Sequence, residues 1–533
     1  SPSSISTTKP CRVGARIAPL HAHTHRSTPR AMSVSWPAPA TCAAGGALLA
    51  AAAWLLFFRL LPSVAARTRR RPMEAAEKVQ LPPGSFGWPV VGETLDFVSC
   101  AYSPRPEAFV DRRRLRYGSA VFRSHLFGSA TVVTADAEVS RCVLQSDARS
   151  FVPWYPRSLT ELMGKSSILL INGSLQRRVH GLVGAFFKSP QLKAQVTADM
   201  QRRLAPALAA WRDQGPGARI RIQDHAKTMV FQILVRGLIG LEAGPEMQQL
   251  KQQFQEFIVG LMSLPIKLPG TRLYRSLQAK KRMARLIQRI IQEKRRRRRR
   301  RRRGNLDAGE GPPPPRDAID VLMGDGSEEL TDELISDNMI DLMIPAEDSV
   351  PVLITLAVKF LSECPLALQQ LEEENMQLKM RKTDVDETLQ WTDYMSLSFT
   401  QHVITETLRL GNIISGIMRK AVRDVEVKGH LIPKGWCVFV YFRSVHLDDT
   451  LYEDPCKFNP WRWKEKDMST SSFTPFGGGQ RLCPGLDLAR LEASIFLHHL
   501  VTSFRWVAEE DHIVNFPTVR LKGGMPIRVT AKD

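Results

Sequence analysis

The sequence predicts a mainly α chain with small β-sheets (α+β), tethered to a membrane by one N-terminal helix. Three observations carry this. From Ala137 onward, apolar residues recur at spacings of three and four, giving helical runs at 137–146, 174–187, 191–212, 222–240 and 246–263. Strand character is confined to short stretches such as Thr131 to Val133. Ala38 to Phe58 is an uncharged, Ala-rich apolar run, about 31 Å long as a helix, which matches a bilayer core.

Taken in order, residues 1–30 are rich in Ser, Thr, His, Pro and Arg, and the first acid of the chain is Glu74. Such composition can mark a transit peptide. Met32, however, stands directly before the apolar run. The reading adopted is that the chain proper starts at Met32 and residues 1–31 are a gene-model extension or leader. Residues 32–66 then form the anchor. Arg67, Arg69, Arg70 and Arg71 follow it, so the positive-inside rule puts the bulk of the chain in the cytosol. A cleaved signal peptide is the competing reading, but the apolar stretch exceeds a signal core and no disulfide pattern follows. Residues 67–92 are a basic, proline-rich linker, in which Pro82, Pro83 and Pro89 forbid helix. Residues 93–533 form the globular domain. Within it, Phe151 to Pro156 reads as an aromatic loop, and 294–316, with ten arginines, Gly304, Gly311 and Pro312 to Pro315, as a disordered one.

With 43% hydrophobic residues the domain has ample material for a core. The net charge is +21, and removing the run Arg295 to Arg303 leaves +12. Charge this local favours anionic lipid headgroups over nucleic acid, and no nucleic-acid partner is expected. Eight cysteines without a C-x-x-C pair argue for reduced thiols and against zinc.

The chemistry centres on Pro475 to Gly485, PFGGGQRLCPG. Phe476, Gly479, Arg481, Cys483 and Gly485 stand in the spacing F-x-x-G-x-R-x-C-x-G, which chance gives about once in ten thousand such sequences. Glycines let backbone approach a flat group and turn N–H groups toward sulfur. A cysteine just ahead of a helix start is biased toward thiolate. The loop resembles the haem-binding signature of the cytochrome P-450 family. That resemblance covers about 81–533 and implies haem b with iron held by the Cys483 thiolate and Arg481 on a propionate.

Other segments resemble the family in the same order. Leu334 to Glu363 has helical periodicity broken by Pro345 and Pro351. It resembles the central helix whose acid and alcohol deliver protons, here Asp348 and Ser349, with Pro345, Ala346 and Ser349 departing from the usual residues. Glu406 and Arg409 lie i, i+3, and the resemblance implies that Arg462 joins them in a buried cluster. Arg419 aligns with an arginine on a haem propionate, and His180, beside Gln176, with a further propionate donor. The stretches IPAEDSVP, LVGAFFKSP and the haem loop resemble plant brassinosteroid hydroxylases, nearest the branch acting at carbon 23 of 22-hydroxylated intermediates. By family position Trp154, Tyr155, Ile413, Ile414, Ile417, Phe516 and Val519 line the substrate pocket. The implied reaction is monooxygenation with O2 and with NADPH electrons supplied by NADPH-cytochrome P-450 reductase, at the cytosolic face of the endoplasmic reticulum membrane. A hydroxylase of another plant sterol or terpenoid, a non-oxygenating haem-thiolate isomerase, and a basic membrane-tethered binding protein are the alternatives.

Overall fold

Helices form where the apolar spacing runs unbroken between a capping residue and a stop. The computed structural model describes residues 80–532 except 90, 147, 262, 305–313, 325–329, 384–386, 466–471 and 517; the expected leader and anchor lie outside the described residues. Helix α1 (Ala137–Gln145) starts at Asp136, whose carboxylate accepts from the N–H groups of Glu138 and Val139. Helix α2 spans Gly173–Lys188, and α3 (Ile222–Ile239) ends on Gly240 in the left-handed conformation. The run expected over 246–263 stops at Ile258. Just beyond it, a Cβ on Gly260 would stand 2.4 Å from Ser276, so the chain turns away there.

Two expectations need correction. Lys294 to Gly304 is not a disordered loop but the end of α4 (Arg272–Gly304). Arginine is a good helix former, and acids neutralise the start of the run. Lys294 pairs with Asp317 and Asp320, Arg295 with Asp332, and Arg298 donates to the Met323 carbonyl. Phe151 to Pro153 is likewise a strand, not a loop, since its backbone finds partners on a sheet edge.

That sheet contains β1 (Val121–Leu126), β2 (Ser129–Thr134), β3 (Phe151–Pro153), β4 (Ile417–Ala421) and β5 (Cys437–Val440), in the order β1-β2-β5-β4-β3. The strand expected at Thr131 to Val133 is the middle of β2, which runs parallel to β5. A second sheet joins Ala218–Arg221, Pro526–Ala531 and Phe504–Ala508.

The central helix comes in three pieces: α5 (Asp332–Met343), α6 (Pro345–Asp348) and α7 (Val350–Glu363). Pro345 and Pro351 have no N–H to donate, so the ladder breaks there. At the first break the Ile344 N–H tightens onto the Asp341 carbonyl, 3.2 Å away. Most residues of α5 and α7 are buried, which places this helix in the main core. Helices α8 (Ser398–Gly411) and α9 (Leu486–Ser503) pack around it. Among the described residues no single helix is long and apolar enough to cross a membrane.

Candidate active site

A mostly apolar cavity of about 610 Å³ lies where the broken central helix, the start of β4 and the loop before α9 meet. Phe476, Gly477, Arg481, Cys483 and Gly485 are on its wall. The loop is closed by the Cys483 N–H on the Phe476 carbonyl and the Gly477 N–H on the Thr474 carbonyl, each 3.0 Å. Gly477 needs its φ of +74° to turn toward the cavity. The other two glycines of the triplet face elsewhere, contrary to expectation. A Cβ on Gly479, at φ +62°, would stand 2.4 Å from the Leu144 carbonyl oxygen, and one on Gly478 would touch the Leu144 side chain. They seat the loop on α1. Burial pushes the Cys483 thiol up, while the Gly485 N–H pulls it the other way. Proximity to the start of α9 therefore does not by itself give the expected thiolate bias; a bound cation would.

Arg419 and Arg481 reach the same cavity. Arg481 donates to the carbonyls of Ile168 and Ile171 and to Asn172 Oδ1, and Arg419 to the Met418 carbonyl, with the Tyr155 hydroxyl close by. Neither has a carboxylate ion partner among the described residues. Burial, and then Arg419 nearby, bring the Arg481 guanidinium down to about 10. Arg419, buried, and Arg481, partly buried, share a mostly apolar cavity with the Cys483 thiol and have no carboxylate partner among the described residues, which fits a flat dianionic macrocycle whose metal takes sulfur. Among the described residues no three His, Cys, Asp or Glu side chains cluster as a metal site of another kind.

His180 also reaches the wall, but its Nε2 donates to the Leu482 carbonyl, 2.8 Å away, and Gln176 donates to the Gln480 carbonyl at 3.0 Å. Both staple α2 to the loop, so the expected propionate contact of His180 is not what this geometry displays. The two expected proton-delivery residues diverge in the same way. Ser349 lines the cavity at the α6–α7 junction. Asp348 is absent from the wall and turns toward Lys227, Thr518 and Arg520, while burial raises its carboxyl. A four-residue helix turn cannot aim consecutive side chains at one point.

Glu406, Arg409 and Arg462 come together. Arg409 grips Glu406 bidentately at 2.9 and 2.8 Å, Arg462 Nε adds 3.1 Å, and Trp463 Nε1 adds 2.9 Å. Arg409 also donates to the carbonyls of His446 and Pro455. All seven residues expected around a substrate (Trp154, Tyr155, Ile413, Ile414, Ile417, Phe516 and Val519) are on the cavity wall.

Asn412 and Asp341 are among the residues of this wall that sequence reasoning missed. Asn412 caps α8 in the left-handed conformation, and its Oδ1 accepts from His446 Nδ1, whose Nε2 accepts from the Thr474 N–H; the chain of bonds joins the cavity wall to the loop. Asp341, on α5, is the second, and only its place one turn before Pro345 hinted at it.

The chain matches the family model for cytochrome P450 over residues 82–526. It is 84% identical to cytochrome P450 90D2 of Oryza sativa subsp. japonica over 458 residues, covering 86% of this chain and 91% of that one. It is 60% identical to 3-epi-6-deoxocathasterone 23-monooxygenase CYP90D1 of Arabidopsis thaliana, covering 84% of this chain and 89% of that one. The solved structure of retinoic acid bound cyanobacterial CYP120A1 superposes with a TM-score of 0.71 at 24% identity, over 85% of this chain and all of that one, which establishes the shared fold.

Proposed function

The chain belongs to the cytochrome P450 family, and from that premise we propose that it is a haem-thiolate monooxygenase acting on the side chain of plant steroid hormone precursors. The substrate is a 22-hydroxylated brassinosteroid intermediate and the position carbon 23, by likeness to the relative named a 23-monooxygenase. The observation that carries the reading is Cys483 on the wall of one mostly apolar cavity whose wall also holds Arg419, buried, and Arg481, partly buried, neither paired with a carboxylate among the described residues. Haem, when bound, supplies activation of O2 for insertion of one oxygen atom into a C–H bond.

The residues of this chain do the rest. Cys483 would ligate the iron of a bound haem, Gly477 would let the loop pass close to the ring, and Arg419 and Arg481 would neutralise the propionates. Ser349 would hold a proton at its Oγ on the cavity wall, while Asp348 faces away from it, toward Lys227, Thr518 and Arg520. Ile413, Ile414, Ile417, Val519, Trp154 and Phe516 exclude water and grip an apolar skeleton. The Ala38 to Phe58 run anchors the domain to the endoplasmic reticulum membrane with its bulk in the cytosol, where a reductase delivers NADPH electrons; the apolar run and the arginines after it support this.

The test is turnover. With a plant reductase, NADPH and 3-epi-6-deoxocathasterone, the chain from Met32 onward is expected to yield a product with one new hydroxyl on carbon 23, and C483S none. An intact thiolate carbon monoxide band without that product would discard the hormone and point to another plant sterol or terpenoid.

A further inference from the structure

Among the described residues the cavity wall carries two acids, Asp341 and Glu492. Glu492 lies on α9, the helix that follows Cys483, and so on the thiol's side. Asp341 lies on α5, with 5% of its surface exposed and neither carboxyl oxygen in a hydrogen bond of good geometry. The groups around it are already committed or badly placed. Lys280 pairs with Asp337 at 2.9 Å and donates to the Met163 carbonyl. The Ser167 hydroxyl and the Ile168 N–H lie nearby, and Tyr155 is within electrostatic range, yet none closes a proper bond. The other polar side chains nearby are satisfied: Asn412 by His446 and Arg409, Gln176 by Gln480. Leaving a carboxyl buried without a partner is costly, and the cost is recovered when a ligand supplies the missing bond.

We propose that Asp341 is a specificity-determining residue that hydrogen-bonds the substrate's ring-end hydroxyl, at carbon 3. This rests on the steroid reading of the cavity and deepens it. Position along the helix chooses between the two hydroxyls of the substrate. Asp341 stands eight residues before Ser349, on a different piece of the central helix and on the other side of the break at Pro345. A hydroxyl on carbon 22 is bonded to the neighbour of the reacting carbon and stays beside the oxygen site near Ser349. The hydroxyl at the far end of the rigid ring system is the one that spans the distance to Asp341. The surrounding wall, with Ile168, Leu342, Val230 and Leu234, is apolar, so a single polar contact there selects ring orientation strongly.

The experiment measures dissociation constants by equilibrium dialysis, which needs no haem signal, for 3-epi-6-deoxocathasterone and its 3-deoxy and 22-deoxy analogues. Wild-type protein is expected to bind the 3-hydroxy sterol at least ten-fold more tightly than the 3-deoxy analogue. In D341L that preference is expected to vanish, with the 3-deoxy analogue bound within two-fold of wild type; D341N, which can still donate and accept, is expected to stay within three-fold. Equal loss for both ligands would make Asp341 merely structural and overturn the proposal. Loss that tracks the 22-hydroxyl would overturn the ring-end assignment. If D341L fails to fold, equal binding of both sterols by wild type alone overturns it. The reduced carbon monoxide spectrum, recorded in parallel, reports separately on the haem-thiolate reading.

Discussion

Asp341 keeps its proton to about pH 7 because burial penalises its charged form and no partner compensates, although Ser167 and Lys280 pull the other way. In the unfolded chain the same carboxyl titrates in the ordinary range, roughly pH 4. Between those values the folded state binds more protons, so this residue lowers stability progressively as pH rises from about 4 to about 7, and then no further. We expect the difference in urea midpoint between ligand-free D341N and wild type to grow in favour of D341N from pH 5 to pH 7.5. A pH-independent difference would show that the carboxyl is not perturbed. At this scale Cys483, Arg481 and Glu406 were legible because each belongs to a motif of fixed spacing. Asp341 was not: an acid within a helical run reads as a solvated face, and only packing reveals that α5 has none. The divergence of Asp348 and Ser349 was hidden for the same reason, since two prolines reset the local axis.

The loop before α9 is rigid because its glycines meet α1. Replacing Gly479 with alanine forces a side chain into the left-handed region and into the Leu144 carbonyl. The strain is about 1–3 kcal/mol, and the loop can relieve it only by leaving α1. G479A is therefore expected to purify with less haem and a lower Tm than wild type, while G429A, also at a left-handed φ of +74° but with its Cβ in open space, retains full haem content. Equal haem content in G479A and wild type would contradict the account. Helix boundaries were legible where caps and periodicity coincide, as at Asp136 and Gly240. The arginine run was misread because its repulsion was counted and its acids were not. Asp317, Asp320 and Asp332 are distant enough in sequence that only the folded chain brings them to the helix.

Across the whole molecule, the Glu406–Arg409 pair ties α8 to Pro455, Lys457 and Trp463, and Arg409 to the His446 carbonyl. Both side chains are fully buried, so cutting one out strands the other's charge. E406Q is expected to cost about 3–5 kcal/mol and to give haem-poor, aggregating protein; a wild-type melting curve would contradict that. The overall architecture was legible because a helical domain of this size must repeat the three–four spacing many times. The most direct measurement of the central claim is turnover of 3-epi-6-deoxocathasterone under ¹⁸O2 with reductase and NADPH. We expect one labelled oxygen on carbon 23 of each product molecule and none in C483S. Product oxygen drawn from water, or label placed on the ring, would contradict the account.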